Sequence, residues 1–429
     1  MDKEKNLGLF KSLAYSSGNL GSLLVSQLIP MWIVFFYAPP EGKGIIYAPI
    51  IFVGYAMLFG RIVDAIADPL IGYFSDKHRS RFGRRIPFIA LGAPFLVVAW
   101  TLLFYPPVAD KVMGNALYLA VVLGFFWFFF TVTVAPYLAL LPEITSTHRQ
   151  RINLSTYLAS FGILGLFIAF LGSGYLIDQF GFRVMAIVMG GITLVSFCFP
   201  VIFIRETSWS SAKEVTLSPF KALTQCFKNK PFLYYVSATG IFFLGFGMVT
   251  GVVPFMVTVL MGATAGWAGY ALGIMMAVAA LSFPLINYSA KRFGKRVVYI
   301  TVFGLFIFFL FLLATIGKLP FSPFYYGLFI VAMLGIPVSG LLVLQNAIIA
   351  DVIDYDETLT GFRREAIYFG ANGLITKIAI GISMFALTQL LHHFGKTIEE
   401  PLGIIIVGPI AGIITFIGLI IFLKYPFKK

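Results

Sequence analysis

Apolar residues run through this chain in long stretches separated by short polar breaks, and the stretches are longer than a soluble helix needs. A helix rises about 1.5 Å per residue, so roughly 20 apolar residues match the hydrocarbon core of a bilayer. On that measure the pattern predicts twelve spans, over residues 14–38, 46–75, 86–107, 115–141, 153–176, 183–204, 231–260, 266–288, 297–317, 322–350, 365–393 and 402–424. The expected fold class is an all-α polytopic membrane protein. The longest hydrophilic stretch, Arg205 to Lys230, falls between the sixth and seventh spans and divides the chain into residues 1–204, 205–230 and 231–429. Within it Ser218-Pro219 precedes Phe220, Leu223 and Phe227, the spacing of a short amphipathic helix at a membrane surface. The first span is too long for a cleaved signal peptide and lacks a cleavage site, so it is expected to stay.

Composition places the chain in the same class. The 429 residues are 59% hydrophobic and 11% charged, with a mean hydropathy of +0.93, well outside the soluble range. The net charge of +13 suggests nucleic-acid binding only until the basic residues are sorted by loop. Twenty-four of the 31 lie in the tails and in the loops on one side; Lys43, Lys111, Arg183, Lys318 and Lys396 lie on the other. Positive residues stay in the cytoplasm, so both termini are expected there, in the plasma membrane, and no nucleic acid is expected as a partner. Cys198 and Cys226 suggest neither a disulfide nor a metal site, and His392-His393 reads as an interfacial pair.

Only Arg61 and Lys377 are basic residues inside spans. Arg61 begins Arg61-Ile62-Val63-Asp64-Ala65-Ile66-Ala67-Asp68-Pro69-Leu70 in the second span, where Asp64 and Asp68 are four apart and share one helix face. A carboxylate at mid-membrane costs about 3 kcal/mol or more. Two adjacent carboxylates repel each other until a cation or proton arrives, which makes the pair a candidate Na+ or H+ site. Lys377, the deep basic residue of the second half, is the expected counter-charge, with Arg61 orienting or balancing the pair.

Two stretches recur. Arg81-Phe82-Gly83-Arg84-Arg85 after the second span has an echo in Arg292-Phe293-Gly294-Lys295-Arg296 after the eighth. After the fourth span come Glu143, Arg149 and Arg151; after the tenth come Asp351, Asp354, Asp356 and Glu357, then Arg363 and Arg364. Asp76, Arg84, Glu143, Arg149, Arg151, Asp351, Arg363 and Arg364 are expected to form charge networks that close a cytoplasmic gate. Two six-helix halves joined by a linker form the internal repeat of a major facilitator transporter.

The second-span motif, the basic loop ending Arg81-Phe82-Gly83-Arg84 and the eleventh-span stretch from Arg363 to Lys377 resemble the glycoside–pentoside–hexuronide:cation symporters. That family, also called the melibiose permease family, belongs to the major facilitators, and the similarity runs over nearly the whole chain. It implies a cation site at Asp64 and Asp68, with Thr131 beside it and Lys377 close by. It also implies alternating access, a coupling ion and no cofactor, and a functional monomer in the lipid bilayer. The chain departs from the galactoside transporters of the family. Sugar-contacting acids are replaced by Leu23 and Val134, a tryptophan by Leu138, and the asparagine between the helix-two acids by Ala67. A sugar site needs fixed hydrogen-bonding groups and an aromatic face. The remaining candidates are Asn19, Gln27, Trp127, Tyr137, Tyr157, Gln345, Asn346, Tyr368 and Asn372. The expected function is Na+- or H+-coupled symport of a sugar or glycoside. The alternatives are an amphipathic substrate such as a lysophospholipid and, remotely, a membrane enzyme or sensor, for which no catalytic motif is evident.

Overall fold

The computed structural model describes residues 7–145, 147–206, 226–361 and 364–427. Thirteen principal helices follow in order: α1 Leu9–Tyr37, α2 Ile50–Lys77, α3 Ile86–Leu102, α4 Met113–Ala139, α5 His148–Phe167, α6 Ser173–Phe203 and α7 Lys230–Phe255. They continue with α8 Trp267–Phe293, α9 Lys295–Leu313, α10 Pro323–Met333, α11 Gly335–Thr360, α12 Glu365–Phe394 and α13 Leu402–Leu423. No strand is present among the described residues.

Ten of the continuous helical segments are long and apolar enough to cross a membrane, and α3 is a shorter apolar helix. The segment Arg149–Phe203 is 55 residues long. At about 1.5 Å per residue it far exceeds a hydrocarbon core of about 30 Å, so it cannot be one pass. It bends at Gly181, whose φ of +81° and ψ of 174° leave helical space and which only glycine adopts at low cost. Splitting it there and counting α3 gives twelve spans, and the expected polar break between 176 and 183 shrinks to a single glycine. The tenth span differs in the other direction. The apolar span was expected to end at 350 with the acids at the helix end, and α11 runs on to Thr360, carrying Asp351, Asp354, Asp356 and Glu357 on its last turns.

The chain divides into two compact units, residues 1–38 with 45–215 and residues 39–44 with 216–429. The pairing of helices within each is the same. In the first unit α2 and α3 pack on α4, α1 packs on α5 and α6, and α3 on α6. In the second unit α8 and α9 pack on α11, α7 packs on α12 and α13, and α9 on α13. The first core is filled by Trp32, Trp100, Trp127, Tyr15 and Tyr37, and the second by Tyr235, Phe242, Tyr299, Phe303 and Phe306. The internal repeat in the sequence is thus a repeat of packing. Gly83 and Gly294, which end the two Arg-Phe-Gly motifs, both have positive φ, +104° and +88°, at corresponding places in the two units. The candidate interfacial helix around Phe220 and Leu223 lies outside the described residues.

Candidate functional site

The second helix carries its two acids where it packs most closely on α4. Asp64 is fully buried and Asp68 half-buried, a placement that demands compensation. Part of it comes from Thr131 on α4, whose hydroxyl lies 2.9 Å from Asp64 Oδ1 and 3.3 Å from Asp68 Oδ1. One hydroxyl therefore bridges both carboxylates and draws them together. Arg61, one turn before Asp64, places Nη1 at 3.3 Å from Asp64 Oδ2. Its guanidinium carbon stands 3.6 Å from the centre of the buried Trp127 ring. Gly60 makes room for that indole, since a Cβ there would stand 2.8 Å from Trp127 Cδ1.

The cluster brings one guanidinium, two carboxylates and a hydroxyl together, and carboxylate and hydroxyl oxygens are hard donors suited to a small monovalent ion. A divalent site would want more oxygens, and among the described residues no three His, Cys, Asp or Glu side chains gather as a metal group. Lys377 is half-buried in the middle of α12, within the second unit.

The candidate sugar ligands have varied surroundings. Tyr137 and Tyr15 stack at 4.8 Å, and each hydroxyl donates at 2.7 Å to the other's backbone carbonyl. Both polar groups are consumed in joining α1 to α4. Asn19 donates to the Leu158 carbonyl at 2.8 Å and accepts from Ser22 Oγ, which ties α1 to α5. Trp127 serves Arg61. Tyr368 is buried and accepts from Asn229 Nδ2 at 3.0 Å. Tyr157 lines a cavity of about 180 Å³ near the start of α5, together with Ser12, Thr145, Gln150 and Asn153. Gln27 and Gln345 are half-buried and Asn346 exposed. Asn372 is 4% exposed, and its Oδ1 finds no hydrogen-bond partner among the described residues.

Several of the expected gate residues form ion pairs within their own unit. In the first, Glu143 binds Arg84 and also Arg85, the latter at 2.9 Å, and Arg85 reaches Asp76 at 3.0 Å. In the second, Asp351 pairs with Lys295 at 2.5 Å, the residue after the motif glycine just as Arg84 is. Arg364 grips Asp356 with Nε at 2.8 Å and Nη2 at 2.6 Å, and these bonds raise its pKa further above the usual range. Burial pushes the neighbouring Cys226 thiol up to about 11. Arg149 and Arg151 are exposed at the start of α5, and Arg363 lies outside the described residues.

Four members of these clusters were not singled out from sequence as gate residues. The echo Arg292-Phe293-Gly294-Lys295 pointed to Lys295, and the basic loop itself contained Arg85. Asp356 lay in the acidic run. Glu206 carried no signal: its carboxylate accepts from the backbone N–H groups of Arg84, Arg85 and Ile86, the latter two at 2.6 and 2.9 Å. It supplies from the end of α6 the negative charge that the N-terminus of α3 favours.

A family model described as MFS/sugar transport protein matches residues 14–421. The isoprimeverose transporter of Lactiplantibacillus pentosus is 27% identical over 401 residues, covering 89% of this chain and 79% of that one. The sodium-dependent lysophosphatidylcholine symporter 1 of Gallus gallus is 24% identical over 428 residues, covering 87% and 79%. A 159-residue stretch is 32% identical to the uncharacterized symporter sll1374 of Synechocystis sp., covering 36% of this chain but only 28% of that protein. Among solved structures, a D-xylose-proton symporter superposes with a TM-score of 0.70 over 97% of each chain at 12% identity, a likeness of fold alone.

Proposed function

The chain belongs to the MFS/sugar transport family, whose members are transporters rather than enzymes, and from that premise we propose that it imports a sugar or glycoside by cation-coupled symport. The observation that carries this reading is the cluster of Asp64, Asp68, Thr131 and Arg61, a buried and a half-buried carboxylate brought together at one hydroxyl beside a guanidinium. Na+ or H+ entering it removes the repulsion between the carboxylates. Lys377 is the counter-charge of the empty carrier and is released when the ion binds, so ion and cargo move together as the halves rock. Asn372, with an unmatched buried acceptor, is the strongest of the proposed cargo ligands. The ionic clusters around Glu143, Asp351 and Asp356 serve the cytoplasmic gate. The carrier works as a monomer in the cell membrane with both termini in the cytoplasm, and it needs no cofactor beyond the coupling ion.

A second reading, symport of an amphipathic lipid such as a lysophospholipid, draws support from the Gallus gallus relative. The replacement of the galactoside acids by Leu23 and Val134 leaves room for it. Proteoliposomes carrying an imposed Na+ or H+ gradient separate the two when offered a panel of glycosides and lysophospholipids. Sugar accumulation that collapses with the gradient supports the first reading, and lysolipid uptake alone supports the second. Asp64→Asn and Asp68→Asn should each reduce gradient-driven accumulation to background at normal expression. Undiminished accumulation in both variants would overturn the cation-site assignment.

A further inference from the structure

The two units use the repeated Arg-Phe-Gly motif differently, and the difference leads to one buried hydroxyl. In the first unit both basic residues after the glycine, Arg84 and Arg85, bind Glu143, Arg85 at 2.9 Å. In the second unit the residues at those places are Lys295 and Arg296. Lys295 binds Asp351, with Nζ 2.6 Å from Oδ1 and 2.5 Å from Oδ2. Arg296 turns elsewhere: its Nη2 donates to the Leu423 carbonyl at 2.6 Å, at the end of α13. Among the described residues Asp351 therefore has one basic partner where Glu143 has two.

The bond from Arg296 pins the short segment after α13, whose rings fold back onto the unit. Tyr425 stacks on Phe422, with ring centres 5.1 Å apart, and meets Phe427 edge-on at 5.3 Å. Phe427 in turn meets Tyr355 at 5.3 Å, one helical turn beyond Asp351 on α11. Tyr425 is 3% exposed, and its hydroxyl has no hydrogen-bond partner among the described residues. Tyr299, the other ring against Phe422, already pairs its own hydroxyl with Thr239 at 2.9 Å. Burial raises the pKa of Tyr425, and the Asp351 carboxylate raises it further, so the hydroxyl lies in the field of that acid. A buried donor left without a partner is costly and calls for a cause.

We propose that the Tyr425 hydroxyl is the reserve donor of Asp351: it takes the carboxylate when Lys295 leaves it, supplying the second donor that Arg85 gives Glu143 in the first unit. The inference rests on the Lys295–Asp351 pair belonging to the cytoplasmic gate. An ion pair that must part leaves a carboxylate without its cation. A phenol held close by, through Arg296 and the aromatic contacts, meets that need with a neutral hydrogen bond. The cost of the idle hydroxyl falls on the closed pair alone, which narrows the free-energy gap between the closed and the open pair. The segment after α13 is thereby a working part of the gate.

The test is a thermal-unfolding cycle on the purified full-length protein, in which Lys295→Met imitates the departed lysine. In the wild-type background Tyr425→Phe keeps the ring and deletes an idle hydroxyl, so the melting temperature should stay the same or rise. In the Lys295→Met background the same substitution should lower it by about 3 °C or more, the effect of losing a hydrogen bond to a charged group. With Asp351→Ala added to Lys295→Met the acceptor is gone, and Tyr425→Phe should again lower nothing. A tyrosine that serves only as packing gives one shift in all three backgrounds. Equal shifts in the first two, or a drop that survives in the third, overturn the proposal. Lys295→Ala stands in if Lys295→Met does not fold. Lys295→Met and Asp351→Asn carriers whose gradient-driven uptake from the panel of glycosides and lysophospholipids matches wild type would instead remove this pair from the gate, a distinct result.

Discussion

At the scale of single residues, the site is built from groups that do two things at once. Thr131 lies within hydrogen-bonding distance of both carboxylates, and on the proposed reading its oxygen also serves the ion. Thr131→Ser, which keeps the hydroxyl, should stay within about threefold of wild-type ion affinity, whereas the isosteric Thr131→Val should weaken it by about tenfold or more. Titration of both variants checks this, and equal affinities would show the hydroxyl to be uninvolved. Cys226 gives a residue-scale measure of the end of the second unit that holds Arg364 and Asp356. With burial holding its pKa near 11 rather than 9.0, its thiolate fraction at neutral pH is about a hundredfold below that of an ordinary thiol. Alkylation by a soluble maleimide should be slow to match. Fast labelling would mean that this corner opens readily in the resting protein.

At the scale of elements, hydrophobic runs made the spans legible, and the repeated Arg-Phe-Gly motif made the symmetry legible. The sequence displays donors but not the acceptors that packing brings to them. Tyr137 and Asn19 looked available for a sugar, yet their partners are the carbonyls of Tyr15 and Leu158, more than a hundred residues away in sequence. Glu206 was silent for the same reason, because the N–H groups it accepts from belong to the start of α3. The length of the apolar run, which ends at 350, did not show how far α11 continues past it, to Thr360. The matched turns yield a differential prediction. Gly294→Ala should cost about 1–2 kcal/mol through backbone strain. Gly83→Ala should cost more, since its Cβ would also stand 2.3 Å from Glu206 Oε2 and evict that carboxylate. Thermal unfolding of the two variants, with Glu206→Ala as the reference for the lost cap at about 1–2 kcal/mol, ranks them. Equal losses at Gly83 and Gly294 would show that the Glu206 cap contributes little.

At the scale of the whole molecule, the oxygens and charges assigned to the coupling ion all belong to the first unit. Lys377 belongs to the second. On the proposed cycle, binding the ion and coupling it to cargo are separable functions. If Lys377 is the proposed counter-charge, Lys377→Ala removes that competitor and leaves every proposed ligand in place. It should preserve the ion's thermal stabilisation, with an equal or lower half-saturating concentration, while cargo accumulation no longer follows the ion gradient. Titration of the purified variant and gradient-driven uptake in proteoliposomes measure the two functions independently. Loss of ion binding would make Lys377 a structural support of the site. Retained accumulation would assign the coupling switch to another residue. Only intact binding with lost coupling fits a carrier in which one half reads the ion and the other reports it to the cargo.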